Sequence, residues 1–125
     1  MNTIFRFKEF PVYKDAREFR IQLKLLSREK LPKEERFCMQ EQLWIALDSI
    51  LLNIAEGSER YSDKDFSHFL NTALTSLVEV VACLDALQDD NYISEEEYKS
   101  FTRSAENIYR QLKAFSAKVR KTSCS

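Results

Sequence analysis

Glycine occurs once in these 125 residues, at Gly57, and proline twice, at Pro11 and Pro32. Both are far below average usage. Strand-rich folds turn often, and their turns draw on Gly, Pro and Asn. That scarcity excludes a sheet-based architecture and leaves a few long helices with short connections. One glycine cannot build a phosphate-cradling loop, and no GxGxxG, P-loop, GxSxG or HExxH pattern occurs. Histidine is also single. His68 has no Glu three residues before it, so the Glu-x-x-His pairs of metal-binding bundles are missing. It reads as a surface residue rather than a catalytic base. Glu56 and Glu79 are candidate inward carboxylates, but no His accompanies them. The expectation is a protein that is not an enzyme, with no catalytic residues, no metal and no cofactor.

Cysteine is sparse and odd in number: Cys38, Cys83 and Cys124, without a CxxC pair. This spacing argues against a disulfide framework or a zinc site and fits a reducing cytoplasm. Two core thiols and one in a frayed tail are expected. There is no run of about twenty apolar residues, the length a membrane-spanning helix needs. The start, MNTIFRFKEF, lacks the apolar core of a signal peptide. A cytoplasmic protein without a membrane partner is expected.

What is present is helical periodicity, over a length that suits one domain spanning residues 1–125. Four helices are expected, at roughly 12–27, 33–56, 63–89 and 95–120, with a frayed tail at 121–125. The first carries Val12, Ala16, Phe19, Leu23 and Leu26 at helical spacing behind Pro11, which costs little in a first turn. The second carries Leu43, Leu47, Ile50 and Ile54 at steps of four, three and four. Gly57 follows, and reads as a C-cap in the left-handed region, where a residue without Cβ is favoured. In the third, Phe66, Leu70, Ala73, Leu77, Val80, Leu84 and Leu87 alternate steps of four and three behind a Ser62 cap. SEEE, from Ser94 to Glu97, is a capping box that opens the fourth. There Tyr98, Phe101, Ala105, Ile108, Leu112, Phe115 and Val119 form the stripe. The fold class is therefore all-α, an antiparallel up-down-up-down four-helix bundle, in which the first and fourth helices are neighbours.

Two features exceed what a small bundle needs. Trp44, Ile45, Leu51 and Leu52 widen the apolar face of the second helix, and Phe69, Leu74, Val78 and Val81 that of the third. A lone bundle needs about a 100°-wide stripe per helix. The surplus is either a thick core or a subunit interface. The second feature is charge. The net charge is −1, yet residues 1–33 carry nine Lys/Arg against four Asp/Glu. Residues 34–97 carry three against fifteen, and residues 98–125 seven against Glu106 alone. Basic ends flank an acidic middle. If the first and fourth helices are neighbours, Lys14, Arg17, Arg20, Lys24 and Arg28 would merge with Arg103, Arg110, Lys113, Lys118, Arg120 and Lys121 into one positive surface. Such a surface suits phosphate contacts, which are salt-dependent and largely sequence-independent. A solvated charged face is the other reading.

Asn53 and Glu56 sit inside an apolar run, where a polar group must be paired. Hydrogen bonds to the following turn or to the third helix are expected to satisfy them. The same region carries a family resemblance. Pro32 and Glu35 are followed by Gln42, Leu43, Ala46, Ser49, Ile50 and then NIAEG (Asn53 to Gly57) with Arg60. Phe66, Phe69, Leu70, Ala73, Ser76, Leu77 and Glu79 follow. This pattern resembles the small proteins encoded by intervening sequences within bacterial 23S ribosomal RNA genes. The resemblance implies an antiparallel four-helix bundle that assembles as a homopentamer and binds RNA or DNA. It also implies kinship with the accessory proteins of diversity-generating retroelements, in which a basic pentamer partners a reverse transcriptase and its template RNA. Two positions depart from the family pattern. Trp44 and Ile45 stand where arginines are frequent, and Thr75 where a glycine is usual. Any nucleic-acid site is therefore expected on the first and fourth helices, with the structural motif Asn53, Glu56, Gly57, Arg60 and Glu79 setting the joint. A protein-interaction module without nucleic acid is the alternative.

Overall fold

A computed structural model of the chain describes residues 3–124, with the side chains at 35–37 and 122–124 outside the described set. A 3-10 turn, Arg6–Glu9, leads into α1 (Pro11–Lys30). Pro11 occupies the first turn, as expected. α1 ends at Leu31, whose extended backbone (φ −84°, ψ 131°) is the conformation that a following proline imposes. One helical stretch then runs from 33 to 57: α2 (Lys33–Glu35), a π turn (Arg36–Gln40) and α3 (Glu41–Gly57). α4 (Asp63–Asp89) and α5 (Glu95–Cys124) complete the chain. No strand occurs among the described residues.

Three expectations change here. The π turn (Arg36–Gln40) replaces plain α-helix there. Cys38 lies within it and is exposed rather than in the core, while Cys83 is buried as expected. The C-terminal tail continues as helix through Cys124 instead of fraying from 121. The side chain of Cys124, and all of Ser125, lie outside the described residues.

Partners across each seam run in opposite directions. On α1 and α3, Arg20 reaches Asp48 and Trp44 reaches Ser27. On α3 and α4, Ser49 pairs with Ser76 at one level, and Gly57 meets Phe66 and Phe69 at another. On α4 and α5, Ser67 meets Ser116 and Tyr98 meets Asp85. On α5 and α1, Phe10 packs on Phe115 and Phe19 on Phe101. Neighbouring helices are therefore antiparallel, and α1 and α5 close the bundle.

One contiguous core joins all four helices. The stripes of α3 and α4 are buried throughout, and Leu23, Ile108 and Leu112 meet them from α1 and α5. Among the described residues α4 alone is long and apolar enough by composition to cross a membrane, although no run of twenty apolar residues exists. Its hydropathy serves the core: Leu70, Leu77 and Leu84 are fully buried in the bundle. At the fully buried leucines each side chain contributes about 1.5–3 kcal/mol.

The two ends of α4 are capped by sequence. Ser62 Oγ accepts from the Asp65 N–H at 3.1 Å. Beyond Asp89 the Tyr92 N–H donates to Leu87 O and the Asn91 N–H to Gln88 O, both at 2.9 Å. That pair of bonds is a Schellman closure. Asn91, at φ 63°, is the left-handed residue that it requires. Ser94 and Glu97 then cap α5 reciprocally, at 2.9 and 3.0 Å.

Candidate nucleic-acid interface

The eleven basic residues expected to share one surface are divided by the bundle. On α1, Lys14 and Arg17 are exposed. Arg20 and Lys24 turn instead to α3, where the Arg20 Nε and Lys24 Nζ donate to Asp48 Oδ1 at 2.7 and 3.0 Å. Partial burial would raise the Asp48 pKa, but the two cationic donors outweigh it and hold the carboxyl below its usual range. Lys24 also lies 4.7 Å, and Arg28 4.9 Å, from the centre of the Trp44 ring. The Trp44 indole N–H is fixed by Ser27 Oγ at 2.8 Å. Trp44 therefore organises two cations on the α1/α3 flank, a contact that the sequence reading did not anticipate. The i,i+4 spacing of Lys24 and Arg28 was its only local signal.

The α1/α5 seam, where the two basic sets were to merge, is polar and acidic along one section and apolar, with Lys118 at its edge, along another. The polar section, a groove of about 350 Å³, is lined by Asp15, Glu18, Gln22, Ser104 and Asn107 over Phe19. Asp15 accepts from Asn107 Nδ2 at 3.2 Å and from Gln111 Nε2 at 2.7 Å. The positive surface is thus two stripes, not one.

The richer stripe belongs to α5. Arg103, Arg110, Lys113, Lys118, Arg120 and Lys121 are all exposed. Arg103 and Arg110 are seven residues apart and share one face with Lys121, turned away from Ala105, Ile108 and Leu112. Lys113 and Arg120 line the groove toward α4, and Lys118 the groove toward α1. Lys113 lies 5.8 Å from the Tyr109 ring centre, and Tyr109 is partly exposed. An α-helix with this much exposed positive charge and an aromatic beside it can engage a phosphate backbone.

The joint motif has a structural role that differs from the expected one. Gly57 is the last residue of α3 and has no positive φ; Ser58, at φ −63°, is the cap. A Cβ on Gly57 would stand 2.7 Å from Phe69 Cβ and 3.0 Å from the Phe66 ring. The glycine is required by the close approach of α3 and α4, not by backbone torsion. Asn53 does not reach the turn or α4. Its Nδ2 donates one turn back to Ser49 O and Oγ, at 2.8 and 3.0 Å. Ser49 Oγ in turn pairs with Ser76 Oγ at 2.8 Å, so the link to α4 is indirect. Glu56 and Glu79 are exposed rather than inward. Glu56 pairs loosely with Arg60 at 3.8 Å, and Arg60 also meets Asp65 at 3.7 Å. The Arg60 guanidinium lies 4.4 Å from the Phe69 ring centre, so it staples α3 to α4 across the turn. Arg6 adds a clamp that periodicity does not show. Its Nε and Nη2 donate to Ser58 O at 3.0 and 2.6 Å, closing the C-terminal end of α3.

Among the described residues no group of His, Cys, Asp and Glu could hold a metal ion. His68 is exposed on α4. The Cys83 thiol is held above its usual pKa by burial and then by Glu79, the opposite of an activated nucleophile.

Comparison with known proteins matches this architecture to a family. No curated protein matches the chain. A crystal structure of a protein with unknown function from the S23 ribosomal protein family, from Bacteroides thetaiotaomicron VPI-5482, is similar at a TM-score of 0.77 and 28% identity. The alignment covers 84% of this chain and 97% of that one. The model of the family described as 23S rRNA-intervening sequence protein matches residues 8–114, from the 3-10 turn through most of α5. The chain belongs to the 23S rRNA-intervening sequence protein family.

Proposed function

We propose that the protein is a non-enzymatic, cytoplasmic oligomeric scaffold that binds structured RNA or a ribonucleoprotein through α5, with Lys14 and Arg17 of α1 as a lesser contribution. The observation that carries this reading is the charge of α5: from Tyr98 onward it bears seven Lys/Arg and one acid, and its named basic residues are exposed. Family membership and the helical bundle support it. Arg20 and Lys24 are left out of the proposed contact surface because both are turned to Asp48, which offsets one of their two charges. The homopentamer implied by the family resemblance belongs to the same proposal, as does a reverse transcriptase as a protein partner. Free thiols at Cys38 and Cys83 suit the reducing compartment in which such a complex would form.

The test is a binding titration with labelled structured RNA across salt. Phosphate contacts predict binding at about 50 mM salt that weakens steeply by about 200 mM. Absence of binding at the lower salt would leave the protein-interaction reading, with a partner recovered free of RNA.

A further inference from the structure

The seam between α1 and α5 changes character at one hydrogen bond. In its polar section the Asp15 carboxylate accepts from Asn107 and Gln111. Past that bridge, toward the start of α1, the seam opens into a groove of about 470 Å³, a size in the range of small-molecule sites. Phe10, Pro11 and Val12 line one wall, and Ala114, Phe115 and Lys118 the other. Gln111 closes one end, and among the described residues no Asp or Glu lines the groove.

The walls are fixed by the fold. Val12 is buried in the core. Phe115 packs edge-on against Phe10, at 5.0 Å between ring centres, and against Phe66 at 5.4 Å, an arrangement that aromatic pairs favour. The Arg6 guanidinium, which clamps Ser58 O, lies 5.8 Å from the centre of the Phe10 ring. Ala114 is exposed, and its small side chain leaves depth that a larger one would fill. The groove is long rather than round: Gln111 to Lys118 covers about 10.5 Å of helix axis.

The rim of this section is basic. Lys118 lines it directly. Arg110 stands four residues before Ala114, and Lys14 three residues after Pro11, so both border the groove on their own helices. Both are exposed. Against these three cations, Glu9 is exposed ahead of α1, while Asp15 and Glu18 belong to the polar section. The apolar section therefore carries net positive charge at its edge.

We propose that this groove binds a single-chain amphiphilic carboxylate of the medium-chain fatty-acid class, with its chain along Val12, Ala114 and Phe115 and its carboxylate on Lys118. Removal of the chain from water drives binding, and a charge-assisted bond to the ammonium sets its direction. The long apolar trough favours a chain over a compact ring, and the basic rim an anion over a neutral amphiphile. Phe115 and Lys118 lie beyond residue 114, where the match to the family ends, so the site is a feature of this chain rather than of the matched pattern. It does not depend on the RNA-binding reading.

The test is titration of the whole chain with octanoate, read by methyl NMR, with octan-1-ol and acetate as comparisons. Octanoate should shift the Val12 and Ala114 methyl signals saturably. Octanol should bind several-fold more weakly, and acetate should leave both signals in place. Ala114→Trp, which fills the trough, should abolish the shift at Val12 with helical circular dichroism unchanged; Ala114→Leu serves if the tryptophan unfolds the chain. Lys118→Gln should weaken octanoate to the level of octanol and leave octanol unchanged. The absence of a saturable shift at Val12, or shifts centred on the exposed Ile45 and Leu52, would overturn the site. Equal binding of octanol and octanoate, or full octanoate affinity in Lys118→Gln, would overturn the class of ligand.

Discussion

The two ends of α4 solve different problems with the two residues that most often solve the same one. At its start, the joint from α3 uses the chain's single glycine, but in helical backbone, because Phe69 Cβ would stand 2.7 Å from any Cβ there. At its end, the turn to α5 needs a left-handed residue and takes Asn91 instead. Asn reaches that region at modest cost because its short polar side chain bonds locally. Glycine is thus spent on the close approach of two helices, while torsional freedom is supplied elsewhere.

Substitutions at the two turns separate these causes. Gly57→Val should have the largest effect, about 3 kcal/mol by overpacking against Phe69 and Phe66, read as a fall in the denaturant midpoint. Gly57→Ala is the sharper test. Helix propensity alone would favour alanine by about 1 kcal/mol, so net destabilisation isolates the contact. Asn91→Val should cost about 1–2 kcal/mol through its positive φ, whereas Asn91→Gly should be neutral or slightly stabilising. Ser94→Ala, which opens the capping box of α5, should cost about 1 kcal/mol in thermal or denaturant unfolding.

The smallest effect lies away from both turns. Asp48→Asn should cost under about 1 kcal/mol, because its ion pairs are partly exposed. Its pH dependence gives the sign. The folded pKa lies below the ordinary value, so this stabilisation is present above about pH 4 and fades as pH falls through the folded pKa. Wild type and variant should therefore converge in acid, in unfolding curves measured at several pH values.

Much of the fold was legible because helix stripes are local. The steps of four and three from Phe66 to Leu87 locate α4, and SEEE locates the start of α5. Features set by distant partners were not legible. Nothing near Gly57 announces Phe69 as its obstacle, and nothing near Arg6 announces Ser58 O. The π turn also escaped, because Met39 stands four residues before Leu43 and continues the helical step without marking the extra residue. The basic residues were legible as charges but not as a surface. Whether Arg20 and Lys24 face solvent or Asp48 depends on which side of α1 meets α3, and the four-helix order does not fix that rotation.

The central claim is that α5 is the nucleic-acid face. It is tested most directly by comparing two charge reversals in the same low-salt RNA titration: Arg103→Glu with Arg110→Glu on α5, and Arg20→Glu with Lys24→Glu on α1. All four positions are basic in sequence, but only the α5 pair is free of Asp48. The account predicts loss of binding in the α5 variant with its helical circular dichroism intact, and binding retained by folded protein carrying the α1 pair. Undiminished RNA binding by the α5 variant would contradict it.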